Sequence, residues 1–190
     1  MEGAVSKVKC VLVLFLVLLA PGLAMAQNEA PKWSYIEGGW IDFSPDEGDS
    51  GDGWFAGGSM KLFKNFHLVA EYDDINGYTF WDAGGGWHGL LGEKADLFAQ
   101  VVWSNIKIDE GDVDESGAEV QGGFRWKIIK WFELRGQVNW VDYGGDLGDD
   151  TTGEVGALFT FINDRVGVGV DWETGDANTT RAFFRFNFGK

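Results

Sequence analysis

The chain has two histidines, His67 and His88, and they are the first residues to test for catalysis. General-base work needs a histidine within hydrogen-bond reach of the proton it takes, beside a nucleophile or an orienting carboxylate. His67 follows the tight turn Lys64-Asn65, and His88 precedes the turn LLGEK at 90–94. Both fall at one end of their strands, away from the acidic segments at the other. Asp73-Asp74 lies at that other end, with no histidine on its own strand end. A rim protease needs its histidine beside carboxylates there, and a barrel deacylase needs a His–Ser pair at the membrane edge. Neither pattern is present, so the histidines read as structural or interior-lining groups, and no catalysis is expected. The only cysteine, Cys10, precedes an apolar run and offers no disulfide or thiolate metal site to the mature chain. The segment DEGDVDES (109–116) carries oxygens that suit Ca2+, but it lacks the twelve-residue spacing and helices of an EF-hand. It reads as a solvated acidic loop. No cofactor and no metal are expected.

A larger set of ionisable groups recurs at every second position. In TTRAFFRFNF (179–188), Ala182, Phe184, Phe186 and Phe188 form one set, and Arg181, Phe183, Arg185 and Asn187 the other. Side chains alternate between the two faces of a strand, so one face is apolar and the other carries two guanidinium groups. The same alternation places Glu37, Lys61, Glu71, Asp82, Asp96, Glu119, Arg125, Lys127, Glu133, Arg135, Glu154, Arg165, Asp171, Arg181 and Arg185 opposite the apolar set. Both signs occur in similar number. Buried charges are tolerable only when paired and hydrogen-bonded. These residues are expected to form a salt-bridged interior, with the charged lining of a narrow pore as the alternative.

Ten predicted strands carry these residues: about 33–43, 53–63, 66–73, 79–88, 95–108, 117–128, 131–143, 153–162, 165–173 and 179–188. The glycine-rich stretches EGGW and AGGGW are the poorest strand patterns, and losing one hairpin would leave eight. The connections alternate in kind. Those after the odd-numbered strands are rich in acids, as in SPDEGDSGD (44–52) and GGDLGDD (144–150). Those after the even-numbered strands are tight, and three of them carry Lys64, Lys94 and Lys130. Rings cluster at both strand ends: Trp40, Trp54, Trp103, Trp140 and Trp172 toward the acidic loops, and Phe63, Phe66, Trp87, Phe132 and Phe188 toward the tight turns. Amphipathic rings favour the two water–lipid boundaries, and strands near ten residues cross a bilayer at a tilt. No helical pattern covers the apolar faces. The expected fold is all-β, an antiparallel up-and-down transmembrane β-barrel with its apolar face to lipid and its charged face to the lumen. In lipid every backbone N–H and C=O must be paired within the protein, so the sheet has to close. A water-soluble cup with the apolar face inward is the competing fold.

The 190 residues suit one domain. Residues 1–26 read as a secretory signal peptide. Lys7 and Lys9 form its basic start, Val11–Ala20 its apolar run, and Ala24-Met25-Ala26 its cleavage site. That leaves 27–190 as the barrel domain. Losing two lysines and Glu2 moves the net charge from −15 to −16. Such a chain repels nucleic acid, which is excluded as a partner. The 29 Gly, 10 Trp and 15 Phe against 3 Pro fit a barrel with aromatic girdles.

The segments WSYIEGGW, GWFAGGSM, FHLVAEYDD and AGGGWHGL resemble those of small Gram-negative outer-membrane barrels of the OmpA/OmpX-like group, especially the short barrels of xanthomonads. The final strand resembles the signal read by the outer-membrane assembly machinery, which normally ends on an aromatic residue; here Gly189-Lys190 follow Phe188. The resemblance implies an outer-membrane protein with both termini periplasmic and with lipid, lipopolysaccharide and the assembly machinery as partners, as a monomer. It implies a structural, surface-interaction or porin-like role, and no enzyme activity.

Overall fold

Alternation of apolar and polar residues at a period of two leaves each segment one greasy and one polar face, and only pairing with neighbours satisfies its backbone. The computed structural model describes residues 30–46, 49–109, 113–144 and 148–188. In it the chain forms ten antiparallel strands: β1 Tyr35–Pro45, β2 Gly51–Lys61, β3 Phe66–Ile75, β4 Tyr78–Leu91, β5 Ala95–Ile108, β6 Val113–Ile129, β7 Phe132–Gly144, β8 Gly148–Phe161, β9 Val166–Thr174 and β10 Ala177–Asn187. Each pairs with its sequence neighbours, and β1 closes on β10. The closing register sets Glu37 opposite Arg185 and Ile41 opposite Arg181. The signal peptide predicted for 1–26, the terminal Gly189-Lys190 and parts of the acidic loops lie outside the described residues.

The wall is apolar outward. Phe184, Val138, Val155 and Val101 are among its most exposed large side chains, Phe184 at 70%. Charge on this outer set is confined to one end. Asp42 lies two positions beyond Trp40, Asp52 beyond Trp54, Asp74 beyond Tyr72 and Asp142 beyond Trp140, always on the side of the acidic connections. A ring followed by a carboxylate is the sequence expected where an apolar wall gives way to a polar surface. Phe132 of the opposite girdle is not exposed. It pairs with Phe159 across the ladder and packs on it at a tilt, centroids 4.7 Å apart, while Trp131 stacks on the same Phe159.

Several boundaries differ from the sequence reading. Trp33, expected on the first strand, precedes β1 and turns inward, where it is buried. The acidic segments 109–116 and 144–150 are partly strand, because β6 begins at Val113 and β8 at Gly148. DINGY shrinks to a two-residue turn, Asn76-Gly77, with Gly77 at φ 87°. The predicted contrast between long loops and tight turns is therefore mostly one of composition. Hairpin pairing continues into the acidic segments because backbone groups exposed to water still gain from the ladder, even where the side chains are acidic. The β8–β9 turn holds Ile162, Asn163 and Asp164 at φ 54°, 55° and 62°. A β-branched residue in that region is strained, and the turn is tied down through buried Asp164.

Candidate functional site: the lumen

The inward faces build three layers. Nearest the acidic connections, Arg181 on β10 reaches across β1 and β2 to β3. Its Nη2 lies 3.0 Å from Asp73 Oδ2 and 3.3 Å from Glu71 Oε1, and its Nη1 lies 3.2 Å from Glu173 Oε2 on β9. The span is open because β1 and β2 present Gly39, Gly53 and Gly57 inward beside Phe55, whose ring lies under the guanidinium at 5.8 Å.

In the middle, Arg135 on β7 forks onto Asp171 of β9. Its Nε also lies 3.2 Å from Glu154 on β8, and its Nη1 lies 3.8 Å from Glu37 on β1. Arg185 holds the same Glu37 from the neighbouring strand, Nε to Oε2 at 2.6 Å. One carboxylate thus ties the β1–β10 seam to the far wall. Phe183 lies beneath both guanidiniums, at 5.2 Å and 5.5 Å, and Tyr35 faces Arg185 at 4.0 Å. Planar, weakly hydrated guanidinium suits such ring-faced, many-carboxylate sites better than a lysine ammonium.

At the tight-turn end the lumen has a floor. Trp33 lies flat on His88, centroids 4.5 Å apart, and its Nε1–H donates to Asp96 Oδ2 at 2.5 Å. Arg125 stacks over the same indole at 4.8 Å, donates to Glu133 at 2.7 Å and caps the Lys32 carbonyl at 2.7 Å. Lys127 pairs with Asp164, which also accepts from Thr160 Oγ1 at 2.6 Å. The histidines meet here, Nδ1 to Nδ1 at 3.0 Å. Gln100 Oε1, 2.9 Å from His67 Nε2, can only accept, so that nitrogen carries the proton and His67 Nδ1 accepts from His88. Gln100 then donates to Gln121, and Gln121 to Glu119 at 2.8 Å. Four donors in series point from the floor toward Glu119, which Ser104 also holds at 2.9 Å. Such chains reinforce one another in a low-dielectric interior. The histidines thus serve as links in a dipole chain.

Most of the residues predicted for the lumen meet in these layers. Glu37, Glu71, Glu154, Asp171, Arg135, Arg181 and Arg185 form the upper two, and Asp96, Arg125, Lys127 and Glu133 the floor. Asp82 and Glu119 line the upper wall. Lys61 and Arg165 do not join them. Both are exposed, Lys61 at the end of β2 and Arg165 in the β8–β9 turn. Sequence reasoning missed Asp73 and Glu173, although each lies two positions from a predicted lumen residue on the same alternation. It also missed Trp33 and Asp164, which enter the lumen from outside the strands. The lumen is not purely polar. Ile41, Phe55, Ile75, Leu158 and Phe183 form a buried cluster inside it, extended by Phe43, Tyr78 and Phe80.

A cavity of about 740 Å3 runs alongside the middle layer, from Tyr35, Gln100 and Gln121 past Glu37 and Arg135 to Asp46, Asp150 and Asp176 at the acidic end. Ten of its lining residues are acidic and two, Arg135 and Arg181, are basic, so its field attracts cations. Among the described residues no group of three or more potential ligands converges on a metal position, and none of the described acidic-loop residues forms the Ca2+ site considered for 109–116.

No family model and no curated protein matches the chain. Among solved structures it is similar to the KdgM porin, at 9% identity over 82% of this chain and 99% of that one, TM-score 0.49. It is similar to the NanC porin at 8% identity over 82% and 100%, TM-score 0.48. A third likeness is to a structure described as de novo design of transmembrane β-barrels, at 12% identity over 86% and 100%, TM-score 0.44.

Proposed function

We propose that this chain is an outer-membrane barrel with a closed lumen, serving envelope structure or surface interaction rather than solute passage. The observation that carries the reading is the double obstruction. Arg135 spans the lumen to Glu37, and below it Trp33 fills the floor between His88 and Arg125. Buried ion pairs of this kind are expensive to part, because each freed charge would stay in low dielectric. The outward apolar wall, bounded by rings and then carboxylates, supports a membrane setting. In the same reading residues 1–26 are removed on export, and both termini face the periplasm. The last strand engages the assembly machinery, and the acidic connections meet lipopolysaccharide through bridging cations. Kinship with the OmpA/OmpX-like group is proposed only at the level of a small closed barrel, since that type has about eight strands.

A narrow diffusion channel is the second reading, favoured by the cavity that already occupies the acidic end of the lumen. Planar-bilayer recording separates the two. The refolded chain should give no stable unit steps, whereas Trp33→Ala, which removes the floor's indole, should give small or flickering ones. Regular steps from the unaltered chain would overturn the closed-lumen reading.

A further inference from the structure

We infer that the tight-turn end of the barrel is a docking surface for anionic phospholipid, whose headgroup phosphates meet a ring of cations carried by the turns. The inference rests on the membrane setting proposed above and is independent of whether the lumen conducts.

Connections that face water are usually built from small and polar turn formers. The four after the even-numbered strands are not. The β2–β3 turn exposes Leu62 and Phe63, Phe63 at 70%, just before Lys64. The end of β4 exposes Leu90 and Leu91, the latter three residues before Lys94. Lys130 and exposed Trp131 form the β6–β7 turn. Phe161 and Ile162 are exposed where β8 ends, and Arg165 follows three residues after Ile162. Exposed apolar side chains rimmed by charge mark a contact surface. Lys64, Lys130 and Arg165 are exposed and Lys94 is half-buried. None of the four enters an ion pair among the described residues. The inward cations of the same end, Arg125 and Lys127, are held by Glu133 and Asp164. Glu93 is the one carboxylate that these turns expose. The connections at the other end expose Asp46, Asp49, Asp109 and Asp176, so one rim is basic and the other acidic. The distribution of the cations selects the occupant. They recur in four connections spaced around a closed ring of ten strands. A protein partner would cover one side, whereas a lipid annulus reaches all four together. Lysine and arginine lay their stems along apolar surface and hold their charge at its polar edge. With the neighbouring rings among acyl chains, that edge is the level of the headgroups. A zwitterionic headgroup neutralises its phosphate with its own ammonium, so cations lacking a protein partner favour a headgroup with net negative charge.

The test is native mass spectrometry of the refolded barrel released from nanodiscs of equimolar phosphatidylglycerol and phosphatidylcholine at low salt. Bound phosphatidylglycerol should exceed phosphatidylcholine roughly fivefold or more, and salt added before release should reduce the excess. Lys64→Gln, Lys94→Gln, Lys130→Gln and Arg165→Gln combined should bring the ratio to about one. Lys107→Gln, which alters an exposed lysine at the acidic end of β5, should leave the excess unchanged. Folding is checked by heat-modifiable migration. Should the quadruple variant fail to fold, K130Q with R165Q carries the test and should roughly halve the excess. No excess with the unaltered protein, an undiminished excess in the folded variant, or an equal loss in K107Q would each overturn the inference. Flotation with neutral phosphatidylcholine vesicles judges the membrane setting separately. A barrel that inserts there but shows no lipid preference sinks the docking surface alone, and one that does not insert sinks the membrane setting with it.

Discussion

Gly156 is the position at which the interior network is most directly testable. It faces the lumen on β8, opposite Asp171 in the ladder. A Cβ added there would collide with Asp171 Oδ1 and lie 2.9 Å from both Cγ and Nε of Arg135. In Gly156→Ala the carboxylate must therefore leave the fork that holds Arg135. Removing one partner of a buried ion pair costs about 3–5 kcal/mol. Arg135 keeps Glu154 at 3.2 Å and Glu37 at 3.8 Å, which places the loss near the lower end, at about 3 kcal/mol. Replacing glycine by alanine recovers about 0.4–1 kcal/mol through the unfolded chain. The net is about 2 kcal/mol, or roughly 30-fold in the folded-to-unfolded ratio. Gly153, on the outward face of the same strand, has nothing within 4 Å of its added Cβ. Gly153→Ala should leave stability unchanged or slightly raised. Both are read by urea unfolding of the barrel in lipid vesicles, followed by tryptophan fluorescence. If G156A is as stable as G153A, the Arg135–Asp171 fork does not organise the lumen and the argument for its closure loses its main support.

Two other perturbations test the two faces of the wall. Val101 is 57% exposed near the middle of outward β5, so Val101→Lys should cost about 2–4 kcal/mol in vesicles, while Asn178→Lys, beyond the ring boundary, should cost about 0–1 kcal/mol; equal effects would sink the lipid-facing assignment. Arg185→Met leaves Glu37 buried with only the longer contact to Arg135 and should cost about 3–5 kcal/mol; adding Glu37→Gln should recover a substantial part, and a double variant no better than the single would show that the seam pair is not coupled.

The closed barrel was legible because its rule is local. A period of two, repeated across ten segments such as FELRGQVNW in β7, defines both faces without knowledge of any partner strand. Arg125, Arg135, Arg181 and Arg185 were legible as interior groups for the same reason. Their partners were not, because a guanidinium crossing from β10 to β3 depends on the closure of the ring, which alternation does not encode. Trp33 misled because a tryptophan before an alternating run reads as the first residue of the strand. Its inward turn is decided by the hydrogen bond to Asp96 and the stack on His88, both over long sequence separations. Asp164 misled because Asn-Asp reads as an ordinary turn, and nothing local says that its carboxylate will meet Lys127.

The chain's glycine content follows from the same geometry. A ten-stranded lumen filled with arginines and rings has no room for a Cβ opposite each of them. An added Cβ at Gly169 would enter the Phe183 ring, and one at Gly123 would lie 2.8 Å from Phe98 Cζ. At Gly156 it would enter the Arg135–Asp171 fork. Gly123, Gly156 and Gly169 are thus hollows for large neighbours, as close packing requires of an interior. The glycines of EGGW and AGGGW, which weakened the strand pattern in the sequence, answer instead to close backbone approach, since a Cβ at Gly39 or Gly84 would meet the carbonyl oxygen of Ala182 or Val101. A barrel built to hold water in its middle layer would not need those three hollows, because solvent fills gaps without one shaped for a side chain. At Gly123, Gly156 and Gly169 the pairing of hollow with ring or guanidinium favours the closed lumen.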